Sequence, residues 1–464
     1  MLFNSFVFLF AFLPVTYAVF WLLRSARGRY VWLAISGYVF YSYWNPWFCL
    51  LMLFSTIVSY TAGLGFLRWD DAGRRKICLV VPIVVDLCLL AFFKYANFAL
   101  ASIHDASSIF GHPIDVPHYS IVLPIGISFY TFHTISYIVD SYRRAIRPTR
   151  NFFEFAAYVS LFSQLVAGPI VRFRQIEEDL ENVGQADRRR WLARGLRFFA
   201  IGLFEKVIIA DYFAFFVDPA FANYAHLSTL GAWSAVLGYT FQLYFDFSGY
   251  STMAVGLGYL FGLRIPQNFN SPYKATDPSD FWRRWHISLS TCLRDYLYIP
   301  LGGNRNGEAK SYRNLLVTML IGGLWHGASW TFVVWGFYHG VLLALYRRFG
   351  RSWDALPIVA RRLGTFFLVT MGWVFFRATS FRMATSLFRT MFVPSPGEVF
   401  DRMWVFGALV AFGAWWSMIG PNAFDIDAAS EQRPLQPVLL AAAFGACVAI
   451  ISGNGASPFL YFQF

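Results

Sequence analysis

Residues 314–345 read NLLVTMLIGGLWHGASWTFVVWGFYHGVLLAL. Two apolar runs meet at His326-Gly327, with Arg313 before them and Arg347, Arg348, Arg351, Arg361 and Arg362 after them. Lysine and arginine concentrate on the cytoplasmic face of a membrane, so both ends of the stretch belong to one side. The first run, 314–325, has 12 residues. At about 1.5 Å per residue it rises about 18 Å, against a hydrocarbon core of about 30 Å. The pattern predicts a re-entrant hairpin with His326 at its bend, below either surface.

The rest of the chain fits that environment. Of its 464 residues, 57% are hydrophobic, 20% aromatic and only 14% charged. A soluble domain carries about a quarter charged residues, so there is too little polar surface to coat a globule in water. Apolar runs near spanning length recur from end to end, which predicts an all-α polytopic bundle; a porin-like barrel would show short alternating segments. No linker or low-complexity tract divides residues 1–464, and they read as one membrane domain. The net charge of +12 sits in short clusters between apolar runs, which points to membrane sidedness and away from nucleic acid. The five cysteines (Cys49, Cys78, Cys88, Cys292, Cys447) show neither metal nor disulfide spacing.

Sidedness follows from the basic clusters. Residues 1–23 are apolar, lack an A-x-A site and precede Arg24, Arg27 and Arg29, so they read as a retained first helix with its start outside. The clusters at 24–29, 68–76 and 143–150 are placed inside, and the turn at Asn45-Pro46 and the 103–118 loop outside. Basic segments flank 152–170 on both sides, which predicts a re-entrant or in-plane helix ended by Gly168-Pro169. Residues 195–217 go out and 229–262 return. The stretch 264–313 is basic and aromatic, with Phe281, Trp282, Trp285, Ile287 and Leu289 among Arg283, Arg284 and Arg294, and reads as a helix in the headgroup layer. Further helices are expected near 364–379, 403–420 and 436–453.

Polar groups at membrane depth are costly and mark candidate sites. His326 lies among Gly322, Gly323 and Gly327, which allow a bound group close to the backbone, and its ring can accept a proton. A histidine packed against a carbonyl is the competing reading. His286, in Trp282-Arg283-Arg284-Trp285-His286, reads by itself as a surface histidine, and His133 and His339 as structural. Asp86, Asp140, Glu205, Asp211 and Asp246 lie in or near apolar stretches, and Asp86 is spaced to pair with Lys94. The loop at 302–307, Gly-Gly-Asn-Arg-Asn-Gly, is basic and could hold the phosphates of a nucleotide-bearing cofactor or be a plain turn; it is no P-loop.

Several motifs together make the chain recognisable: Met1-Leu2-Phe3-Asn4-Ser5, Phe93-Lys94-Tyr95-Ala96-Asn97-Phe98, Leu123-Pro124-Ile125-Gly126-Ile127-Ser128-Phe129-Tyr130, the run from Gln164 to Pro169, Phe245-Asp246-Phe247-Ser248-Gly249-Tyr250-Ser251, Asp280-Phe281-Trp282-Arg283-Arg284-Trp285-His286, Gly323-Leu324-Trp325-His326-Gly327 and the closing Tyr461-Phe462-Gln463-Phe464. The sequence resembles the membrane-bound O-acyltransferase (MBOAT) family, in particular its members that acetylate exported polysaccharides such as alginate. The resemblance implies an MBOAT-type bundle of roughly a dozen transmembrane and re-entrant helices around a tunnel, in the bacterial inner membrane. It implies His326 and His286 as catalytic residues, and transfer of an acetyl group from a cytoplasmic thioester to an acceptor outside. Acetyl-CoA is the expected donor, ahead of an acyl carrier protein, with Asn304, Arg305, Lys310 and Trp325 assigned to its binding and no metal required. An extracytoplasmic SGNH-type acetyltransferase and polysaccharide machinery are the expected partners. Peptidoglycan O-acetylation and teichoic-acid D-alanylation share the mechanism and stay open. A proton-coupled transporter using Asp86, Asp140 or Asp246 is the alternative from another class, against which stands the absence of half-chain repeats.

The charge pattern makes a direct prediction about sidedness. Single cysteines placed at 103–118 will react with an impermeant thiol reagent in intact cells, whereas those at 302–313 will not. The reverse pattern would overturn the topology.

Overall fold

The computed structural model describes residues 1–305, 307–430 and 435–460. Asn306 of the 302–307 loop and the closing 461–464 motif lie outside the described residues. These residues form helices joined by loops, and they group into two compact units. One unit comprises Met1, Ala11–Asp187 and Phe261–Ile265; the other comprises Leu2–Phe10, Arg188–Leu260 and Pro266–Phe464.

In the first unit the helices Ala26–Ser42, Ala72–Leu90 and Phe152–Val159 start on side-chain caps from Ser25, Asp71 and Asn151, each accepting a backbone N–H of the first turn. The Ala72–Leu90 helix runs on through a π-type turn, Ala91–Tyr95, to Ile109. The loop expected to begin near 103 therefore begins at 110. Asp86 does not pair with Lys94. Its carboxylate accepts hydrogen bonds from Ser55 Oγ and Thr134 Oγ1, each at 2.6 Å, which ties Ala72–Leu90 to Phe48–Arg68 and Ile127–Tyr142. Two hydroxyls on neighbouring helices reach a carboxylate that a lysine two turns along its own helix does not.

The expected helix over 152–170 ends early, at Val159. The Gln164 side-chain amide donates to the Tyr158 carbonyl at 2.7 Å and so takes an acceptor that a continued helix would use. Residues 155–173 are nevertheless all buried. Irregular backbone at membrane depth is tolerated when it is enclosed by protein in this way.

In the second unit, Arg188–Phe204, a π-type turn at Glu205–Ala210 and Asp211–Ala222 form one long helix, which packs against the 32-residue Thr229–Leu260 helix. The two backbones touch at paired glycines: a Cβ on Gly202 would lie 2.4 Å from the Gly249 carbonyl oxygen, and one on Gly256 would lie 2.6 Å from that of Gly195. Small residues at such crossings let transmembrane helices approach closely. Every residue from Gly238 to Leu260 is buried.

The 264–313 stretch is not one helix in the headgroup layer. Two short helices, Pro278–Arg284 and Ile287–Leu293, the second continuing to Tyr298, are separated by a break at His286 with φ 42°. Phe281, Trp285 and Leu289 are buried. A hairpin is present, as Glu308–His326 and Trp330–Asp354 joined by three residues, but its first helix has 19 residues and rises about 28 Å, against about 18 Å expected of 314–325. Ile358–Arg377, Met403–Met418 and Gln436–Asn454 match the later expected helices, while Phe381–Phe392, capped by Ser380, was not foreseen.

Among the described residues, four helices are each long and apolar enough to cross a membrane: Phe48–Arg68, Ala72–Ile109, Ile358–Arg377 and Gln436–Gly453. Fewer meet that standard than a bundle of a dozen implies. A helix enclosed by others, such as Thr229–Leu260, faces protein and not lipid, so it can carry Gln242, Asp246 and several serines.

Candidate functional site

The hairpin owes its closeness to two glycines facing each other across it. A Cβ on Gly323 would lie 2.3 Å from the Phe332 carbonyl oxygen, and one on Gly336 would lie 2.3 Å from that of Met319. His326 is the last residue of its helix and only 4% exposed. Its ring sits against Trp325, Trp335 and Phe376 at centroid distances of 5.1, 5.0 and 5.2 Å. Ser329 caps the returning helix by accepting the Thr331 N–H at 3.3 Å.

His286 stands beside it, with ring centroids 6.4 Å apart. It is fully buried and not at the surface. Its left-handed backbone ends one short helix and starts the next, turning the ring onto Phe247 at 4.7 Å and Trp325 at 6.0 Å. Sequence periodicity carries no sign of such a break. Asn268, which sequence reasoning missed, holds the turn. Its carbonyl oxygen Oδ1 accepts from the Ser288 N–H at 3.2 Å and from Ser288 Oγ at 2.9 Å, its Nδ2 donates to Ser251 Oγ at 3.0 Å, and its backbone oxygen accepts from the Ile287 N–H. A backbone N–H can only donate, so the amide orientation is settled. His286 Nδ1 lies 3.1 Å from the same Oδ1 and 3.4 Å from Ser288 Oγ, a setting that suits the tautomer protonated at Nδ1. In that tautomer the other nitrogen, Nε2, keeps its lone pair, and it is buried without a hydrogen-bond partner among the described residues.

His326 borders a cavity of about 10 Å³, room for about one water, lined also by Leu243, Asp246, Phe247, Trp285, Trp373, Phe376, Phe459 and Leu460. The 302–305 turn borders a second cavity, of about 300 Å³, with Arg294, Tyr298, Ile299, Gly302, Gly303, Asn304 and Arg305 around it. Gly302 and Gly303 take left-handed φ values of 108° and 52°, and Asn314 Nδ2 donates to the Leu301 and Gly303 carbonyls. Asn304 Oδ1 accepts from Tyr298 at 2.5 Å and from Arg347 at 2.7 Å. Of the residues assigned to the donor, Asn304 and Arg305 therefore share one cavity and Trp325 packs at the histidines. Lys310 is exposed in the first turn of Glu308–His326 and is not among the residues lining that cavity. Arg294, Tyr298 and Arg347 were not foreseen as their neighbours, because each comes from a different turn or helix.

Among the remaining membrane-depth groups, Asp140 and Asp246 have cationic partners, while Glu205 Oε2 and both ring nitrogens of His133 are buried without a hydrogen-bond partner among the described residues. His133 packs on Tyr158 and His339 on Phe281, Trp282 and Trp335. In the first unit Asp140 lies 3.6 Å from Arg174. In the second, Asp246 pairs with Lys206 at 2.6 Å.

The Asn268 clamp is testable without an activity. Asn268→Leu keeps the volume similar and removes the oxygen that His286 Nδ1 and Ser288 share, at about 1–3 kcal/mol for a buried donor left unsatisfied. The thermal midpoint in detergent will fall accordingly; an unchanged midpoint would rule out the assigned hydrogen bonds.

The profile of the membrane-bound O-acyltransferase family matches residues 83–388. The chain is 46% identical over 400 residues to the probable alginate O-acetylase AlgI of Pseudomonas aeruginosa, an alignment covering 84% of this chain and 75% of the relative. It is 40% identical to the protein of the same description from Pseudomonas putida, over the full length of both. It is 38% identical over 424 residues to the peptidoglycan O-acetyltransferase of Helicobacter pylori, covering 84% of this chain and 80% of the relative. The chain belongs to the membrane-bound O-acyltransferase family.

Proposed function

We propose that this protein transfers an acetyl group from acetyl-CoA at the cytoplasmic face of the bacterial inner membrane to an acceptor serving O-acetylation of an exported polysaccharide. The whole of 1–464 acts in this reading as one catalytic membrane domain, with an extracytoplasmic SGNH-type acetyltransferase and the polysaccharide machinery as partners. The observation that carries it is the pair of buried histidines in an aromatic shell within a family whose members transfer acyl groups. The names of the Pseudomonas relatives favour a polysaccharide acceptor; the Helicobacter relative keeps peptidoglycan as the second choice. The transporter alternative loses its motive, since Asp86, Asp140 and Asp246 each have local partners.

The residues suit the chemistry. A thioester expels a thiolate readily, so the demanding steps are removing the acceptor hydroxyl's proton and stabilising the charge on the carbonyl oxygen. His326 is the general base: it takes the hydroxyl proton as the oxygen bonds to the acetyl carbon and the carbon–sulfur bond breaks. His286, with Nδ1–H given to Asn268, presents an accepting Nε2. That suits it to orient a hydroxyl or a donor N–H, and leaves the oxyanion to other donors. Asn304, Arg305 and Lys310 hold the phosphates of the donor, helped by Arg294, and Trp325 packs near its acyl end.

His326→Ala will leave a folded protein that binds acetyl-CoA while acetylation falls by about 10²–10⁴-fold, the usual contribution of a general base. His326→Gln can hydrogen-bond but is not basic, and it will fail as badly. Near-normal turnover in His326→Gln would end the catalytic assignment. For the donor, neutralising Arg305 together with Lys310 will raise the apparent KM for acetyl-CoA more than it lowers kcat. An unchanged KM, or turnover only with an acylated carrier protein, would remove these residues from the donor site.

A further inference from the structure

A lysine buried in a membrane protein needs a reason, and Lys206 is 3% exposed. The π-type turn Glu205–Ala210 sets it on the inner face of its helix, where its ammonium group has three partners: Asp246 Oδ1 at 2.6 Å, Asp211 Oδ1 at 2.7 Å and the Pro458 carbonyl at 3.1 Å. The two carboxylates spend their other oxygens on the same short segment. Asp246 Oδ2 accepts the Leu460 N–H at 2.9 Å, and Asp211 Oδ2 accepts from Ser457 Oγ at 2.6 Å. Asn4 Nδ2 donates to the Ser457 carbonyl at 3.0 Å. Between these bonds Phe459 lies on Tyr250 and Phe247, at 4.9 and 5.5 Å, and Phe247 in turn abuts His286. Phe459 and Leu460 line the small cavity that holds His326.

We propose that Lys206, Asp211 and Asp246 form a clamp that presses residues 457–460 against the histidine pair, so that Phe459 and Leu460 are the wall that keeps water out of the site. The three charges bond to the main chain of residues 458 and 460 and to the Ser457 hydroxyl. The clamp thus positions a segment; Lys206 and Asp211 stand outside the residues lining the cavity, whereas Asp246 also lines it. Lys206 is a positioning residue in this scheme. The functional half of the proposal rests on the acetyl-transfer reading above; the structural half does not. Loosening the wall admits water, which attacks the acetyl carbon, so that acetyl-CoA and water give acetate and free CoA in place of transfer to the acceptor.

The test joins a labelling measurement with a partition measurement. Removing Lys206 alone would strand buried carboxylate charge, so the variant is Lys206→Met with Asp246→Asn, carrying Leu460→Cys as a reporter. Thiol labelling is read against the same chain without the added cysteine. Position 460 will react at least tenfold faster in this variant than in Leu460→Cys alone, and acetyl-CoA hydrolysis without acceptor will rise severalfold relative to transfer. Labelling as slow as in the parent would overturn the clamp. Faster labelling with an unchanged ratio of hydrolysis to transfer would overturn the wall's role in excluding water. If no variant or parent turns over acetyl-CoA, the labelling still decides the clamp, and the acetyl-transfer reading alone fails. If the double variant does not fold, Ser457→Ala decides instead. It keeps both ion pairs and removes one bond to the segment, so labelling at 460 will rise, and an unchanged rate would refute the proposal.

Discussion

The contact on which the histidine site depends is the approach of two helix backbones at Gly323 and Gly336. Any side chain at either position would drive a Cβ into a carbonyl of the opposing helix. Because the helices lie so close, Trp335 on the returning helix of the hairpin reaches the ring of His326 at the end of the first. Phe376, from Ile358–Arg377, closes another side. Aromatic rings here act as a packed wall, and the remaining space is about that of one water. Interiors this dense leave a polar ring little freedom to move.

Hydrocarbon cannot satisfy hydrogen bonds, and the second unit shows how tertiary partners take over that task. Asn268 is bonded through Oδ1, Nδ2 and its backbone oxygen, and the setting suits one tautomer of His286. Lys206 with its two carboxylates does the same for a stretch of irregular backbone. In the first unit the Asp86 carboxylate plays a comparable part between three helices. In each case a group costly to bury is kept because several segments share it, and removing one partner would leave the others uncompensated.

The basic 302–305 turn differs in kind from the histidine cavity. It is partly exposed, shaped by left-handed glycines and surrounded by Arg294, Arg305 and Tyr298.

The amino-acid sequence by itself determined the environment and much of the local geometry. Low charge content and continuous apolar runs point to a helical membrane bundle, since only helices and closed barrels satisfy the backbone there and a barrel would show short alternating segments. Arginines on both sides of two short runs imply the hairpin, and the motif around His326 and His286 implies the family. What failed were predictions that turned on side-chain hydrogen bonds, some local and some between partners distant in the chain. The helix over 152–170 stops at Val159 because a glutamine side chain takes the Tyr158 carbonyl. His286 is buried because Asn268 holds a left-handed break that no hydrophobic period encodes. Asp86 chooses Ser55 and Thr134 over Lys94. Periodicity and charge report what each segment wants from its solvent; which hydrogen-bonding groups meet, and so which nitrogen of a histidine keeps its lone pair, is decided only when helices distant in sequence pack together.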